Sequence, residues 1–157
     1  LFIFCTSNYR DDKKIIEDNL LRRFEVIEVY PNSEIASQYV KEFFVKLNEH
    51  IKKELKEEVH PDRFMIGHAI FKNIKNKKDF YRVLLKVTTE FKDIKEIEFD
   101  IFKNIIIKTT LPKKEEDSKD IIELNLSDDY FGLITQLQKE IAYEFLKENE
   151  QDISTNE

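Results

Sequence analysis

The chain has 157 residues, 41% hydrophobic and 37% charged, with a formal net charge of −6. That is apolar material for one ordinary domain, or a small domain with an appendage, and it excludes wholesale disorder. The acidic balance argues against a generic polyanion-binding surface. The single cysteine, Cys5, excludes an internal disulfide and points to a reducing, cytoplasmic setting.

No apolar run reaches the roughly 18 residues needed to cross a bilayer, and no signal-peptide lead-in or cleavage site is present, so no membrane partner is expected. The chain starts at Leu1 rather than Met, in mid-strand, and reads as a piece of something longer.

In chain order, residues 1–6 form a continuous apolar run of strand length and end in the polar cluster Thr6-Ser7-Asn8. Ile15, Ile16, Leu20 and Leu21 recur at helical spacing, which predicts a short helix over 13–23. Residues 25–30 alternate as a second strand, closed by Pro31. Ser33 is a candidate N-cap for a long amphipathic helix over 34–57, with Phe43, Phe44, Leu47, Ile51 and Leu55 inward.

A turn at Pro61 follows, with Asp62 a candidate cap for a helical piece over 64–74 that has Gly67 and His68 in its first turns. Another helix is predicted over 79–91. Residues 94–110 mix helical and strand spacing; the expectation is a helix through Phe102 and then an extended 105–109. A short strand at 121–126 is the candidate partner for that extended piece. Ser127-Asp128-Asp129 caps a final helix, with Phe131, Ile134, Leu137, Ile141 and Phe145 on its inner face, and 151–157 is expected to be a disordered tail.

The two glycines, Gly67 and Gly132, are followed by His68 and Leu133, so no Gly-rich loop ending in Lys is present to wrap a phosphate. Nor does an apolar strand end in paired Asp-Glu that would hold Mg²⁺ and a water. The chain as given is therefore not a complete phosphate-loop NTPase and is expected to be inactive alone.

Certain residues still suit phosphate chemistry. Asn8, at a strand tip, carries an amide that can orient water, although Asn is also favoured in turns. Arg22 and Arg23 end a helix, where a cation favours the dipole, yet their donor forks also fit phosphate oxygens. His68 follows Gly67, whose missing Cβ lets a ligand approach the backbone; Arg63 is a candidate phosphate sensor. For each, the plain structural role stays open. His50, His60 and His68 share no ligand spacing with a cysteine, so no metal site is expected.

The order strand-Thr6-Ser7-Asn8, helix, Leu21-Arg22-Arg23-Phe24, strand, Pro31, long helix and Ile66-Gly67-His68-Ala69-Ile70-Phe71 resembles the C-terminal half of an AAA+ NTPase module. It is most similar to McrB-type restriction GTPases, over residues 1–74. The family pattern has Ser and Tyr where this chain has Ala69 and Ile70.

The resemblance implies an α/β remnant of a core sheet (1–31) followed by a helical lid; the pattern of the residues themselves carries a mainly helical lid domain on over 32–150, with an insertion or small β-hairpin expected near 94–126. The resemblance implies Asn8 as sensor, Arg22 or Arg23 as an arginine finger acting in trans, and Gly67, His68 and Arg63 at the nucleotide. It also implies GTP or ATP with Mg²⁺ in the complete protein, assembly into a ring, a McrC-like nuclease subunit and DNA reached through other parts of the complex. A MoxR-like AAA+ chaperone and a helical interaction domain without nucleotide are the alternatives.

Overall fold

The computed structural model describes residues 29–57, 61–109, 111 and 127–154; of Arg63 and of 148–154 it describes the backbone alone. The expected elements at 1–6, 13–23 and 121–126, and most of 25–30, lie outside the described residues. Val29 and Tyr30, the end of the expected second strand, have no strand pairing and stand exposed.

The described residues are mainly helical, and no strand occurs among them. The helices are α1 (Lys41–Glu54), α2 (Lys77–Thr89), α3 (Phe99–Lys108) and α4 (Tyr130–Ser154). Helix α1 buries Phe43, Phe44, Leu47 and Ile51, and α2 buries Phe80, Tyr81, Val83, Leu84 and Val87. These recur at three- and four-residue spacing, so each helix lays one stripe into a single core. Phe43 meets Phe80 edge-on with ring centroids 5.0 Å apart, which joins α1 to α2. Helix α4 lies along α2, and α3 lies along α1.

The expected helix over 34–57 is shorter and starts later. Two single 3₁₀ turns, Ser33–Ile35 and Gln38–Val40, precede α1. The cap of the first is Asn32, not Ser33: the Asn32 side chain accepts from the Glu34 N–H at 2.9 Å. The chain stays extended at Ala36 and Ser37 because Ser37 is used elsewhere. Its N–H donates to the Phe71 carbonyl at 2.8 Å and its hydroxyl donates to the Ile74 carbonyl. Those bonds across the fold outcompete a continuous helical ladder.

Residues 64–74 do not form the expected helical piece. Two 3₁₀ turns, Pro61–Phe64 and His68–Phe71, flank an irregular stretch. Asp62 lies within the first turn and pairs with Lys52 at 2.5 Å.

Helix α2 begins at Lys77, earlier than expected, because the Asn76 side chain accepts from the Asp79 N–H at 2.9 Å. Asp79 also accepts from the Lys75 N–H at 3.2 Å, which ties the residue before the cap to the first turn. At its far end α2 widens into a π-turn, Glu90–Ile94, and the backbone then reverses at Glu96, which sits at φ 51°.

The run expected to be extended at 105–109 is helical to Lys108, so these residues do not form half of a β-hairpin. Phe102, Ile105 and Ile106 share a buried face, and that packing overrides the strand preference of the isoleucines. Asp129 caps α4, accepting from the Gly132 N–H at 2.6 Å. On α4 the expected Leu137 is buried and Ile141 packs against the core, joined by Leu133, whereas Phe131 and Phe145 face outward, 71% and 51% exposed. The helix also takes in residues 151–154 of the expected tail.

Candidate functional site

Asn8, Arg22 and Arg23 lie outside the described residues, and Arg63 contributes only its backbone, within the turn Pro61–Phe64. Gly67 and His68 are described, and they sit at a joint between the entry segment 29–37 and the segment 61–74. The Asn32 N–H donates to His68 Nδ1 at 3.1 Å, bridging 36 positions of sequence.

The joint is fixed from below by Asn48. This side chain is 5% exposed, on the inner face of α1. Its oxygen accepts from the Ile66 N–H at 2.7 Å and its amide donates to the Ile66 carbonyl at 3.2 Å. One amide therefore satisfies both backbone groups of a fully buried residue, which would otherwise cost about 1–3 kcal/mol apiece. Beyond it, Phe71 is fully buried, with its ring centroid 5.0 Å from that of Phe44. Gly67 and His68 are thus strung between two anchored residues.

Lys95 holds the same stretch from another side. Its side chain is 2% exposed, and Nζ donates to the Met65 carbonyl at 3.4 Å. The charge is balanced by Glu90 at 3.5 Å and lies over the rings of Phe91 and Phe64. The π-turn and the reversal at Glu96 place this lysine beneath the joint.

Gly67 itself is not required by the chain's own geometry. It adopts φ −68° and ψ 149°, open to any residue, and among the described residues a Cβ added there would meet nothing within 4 Å. It is exposed beside a half-buried His68. The arrangement offers bare backbone next to an imidazole whose orientation is set.

Displaced titrations among the described residues belong to the helix seams. Burial pushes the hydroxyls of Tyr130 and Tyr81 up. Burial pulls Lys77 down, but Tyr81, Glu144 and Glu140 outweigh it and leave the amine raised. The Lys108 hydrogen bond holds Glu54 down. No group of three or more His, Cys, Asp or Glu able to hold a metal occurs among the described residues. An open depression at the start of α4, lined by Asp129, Phe131, Gln136 and Lys139 among others, contains none of the candidate residues. No helix among the described residues is long and apolar enough to cross a membrane.

The residues that shape the joint and were not singled out from sequence are Asn32, Ser37, Asn48 and Lys95. Asn48 left a signal, a polar residue on the apolar stripe between Leu47 and Ile51. Lys95 left none. Compared with known proteins, the chain matches no family model, no curated protein and no solved structure.

Proposed function

We propose that this chain is the sensor, arginine-finger and lid portion of an AAA+ NTPase, the GTP-hydrolysing motor of a McrB-like DNA restriction system that drives a nuclease partner. The observation that carries the reading is the joint at Gly67–His68. A glycine that nothing among the described residues demands lies exposed beside a hydrogen-bonded imidazole, on a stretch that Asn48 and Lys95 hold in place. A lid that closes on a nucleotide next to the core needs such a surface.

In this reading Asn8 orients the attacking water, and Arg22 or Arg23 reaches the nucleotide of the neighbouring subunit in a ring. Gly67, His68 and Arg63 face the nucleotide from the lid. The phosphate loop and the Mg²⁺ carboxylates are assigned to residues beyond these 157, because no stretch here has their pattern. The protein acts in the cytoplasm.

The test is made on the natural full-length chain. Arg22→Ala with Arg23→Ala should lower ring-stimulated hydrolysis by about 10³-fold or more while nucleotide binding persists. Hydrolysis that survives both changes would remove the finger assignment. Turnover of GTP against ATP separates the McrB-type placement from a MoxR-like chaperone.

A second reading, a helical interaction module without nucleotide, is favoured by Phe131, Tyr143, Phe145 and Leu146, all more than half exposed on α4. It predicts no nucleotide binding by the full-length chain.

A further inference from the structure

The bond between Asn32 and His68 sets the chemistry that the imidazole offers. A ring nitrogen that accepts a hydrogen bond carries no proton, so Nδ1 is the bare nitrogen and the neutral ring holds its proton on Nε2. Asn32 is itself held by its cap to Glu34 at 2.9 Å, and the ring's own backbone lies between anchored Ile66 and Phe71. The backbone on both sides of the bond is thus held, and the bond itself orients the ring.

We propose that His68 meets the nucleotide as a hydrogen-bond donor, through Nε2–H, so that the atom it reads is an acceptor. That atom is a ring nitrogen or carbonyl of the base, or a phosphate oxygen. Gly67 supplies the space: with no Cβ, and with none of the described residues within 4 Å of where one would stand, the ligand can lie against the backbone beside the ring. Asn32 is the positioning residue, and it links the donor state of the lid to the segment that enters it. The proposal rests on the nucleotide reading above.

Two measurements test it. Ring ¹⁵N shifts of His68 in this chain at neutral pH should show Nε2 protonated and Nδ1 bare; a ring protonated on Nδ1 would overturn the donor assignment without touching the nucleotide reading. In the natural full-length chain, non-hydrolysable GTP and ATP analogues, their 7-deaza forms and inorganic triphosphate are then titrated against three proteins. His68→Gln keeps an amide N–H near the Nε2 position and should bind within about threefold of the natural chain, whereas His68→Asn should weaken binding about tenfold, one net hydrogen bond.

If the contrast between the two variants vanishes with the 7-deaza forms, the acceptor is N7 of the base. A contrast that persists with inorganic triphosphate places the acceptor on phosphate. Equal affinities for Gln and Asn variants would overturn the donor role alone. Failure of the natural chain to bind any of these probes would overturn the nucleotide reading beneath it.

Discussion

Around Phe80 the chain is held by rings and aliphatic groups: Phe43 stands edge-on at 5.0 Å, and Leu84, Val87 and Leu137 are fully buried in the same cluster. Around Ile66 it is held by two polar side chains, Asn48 and Lys95, acting on backbone that belongs to no regular helix. The first region derives its strength from the amount of surface removed from water and tolerates small shifts. The second depends on a few directional bonds made in a dry setting, where each is strong while made and costly when lost. The candidate site stands on the second kind of support.

The sharpest way to separate the two is to damage the first. Phe80→Ala removes a fully buried ring and should lower global stability by about 3–5 kcal/mol, read from denaturant unfolding. A loss below about 1 kcal/mol would mean that the α1–α2 contact is not the centre of the core.

Asn48→Ala should cost less, about 2 kcal/mol, because it leaves the Ile66 N–H and carbonyl buried without their partner. Its effect should also be local, with amide exchange quickening at Ile66 and Gly67 before it does so in α1 and α2. Uniform acceleration across all helices would show that the joint and the bundle are one unit.

The smallest effect is expected from alkali. Tyr130 and Tyr81 have hydroxyls raised by burial, so the folded state favours their neutral form. Their contribution is complete below the ordinary tyrosine value of 10.0, declines as pH rises past it and is lost beyond the raised folded value. Tyrosinate absorbance followed against pH should lag the free phenol. In this direction the contacts of α4 with α2 at Tyr81 and with α3 at Tyr130 loosen while Ile66 keeps its partners; titration at the ordinary value would contradict those contacts as described.

The helices were largely legible from spacing alone. Phe43, Phe44, Leu47 and Ile51 recur on one face, and so do Phe80, Val83, Leu84 and Val87, because each periodic stripe has only one way to be buried at once. The failures fall where a tertiary bond replaced a local one. Ser37 was spent on Phe71 and Ile74, so the chain could not run as a helix from 34. Ile66 was claimed by Asn48, so 64–74 could not coil.

At 105–109 a buried face overrode β-branching, and at Phe131 and Phe145 an apolar residue proved no guide to the side that faces in. Of the candidate site, Gly67 and His68 stand out in the sequence as a pair, but the helix expected to carry them is a 3₁₀ turn with Gly67 just before it. Their supports were not legible, since Asn32 and Lys95 reach across 36 and 30 positions.

The π-turn at Glu90–Ile94 has a consequence for how the molecule comes apart. Widening the end of α2 by one residue per turn carries Lys95 under Met65 without drawing the main helix after it. Releasing Lys95 and Asn48 therefore strips the backbone of 65–68 of its polar supports and leaves Ile66 tied to the stripes of α1 and α2 only through the shared core. The expected outcome is a local opening at Gly67 and His68 ahead of global unfolding, read as faster amide exchange there than in α1 and α2. A ligand bound there would close a hatch rather than stabilise a whole fold, so its protection should be confined to that short stretch.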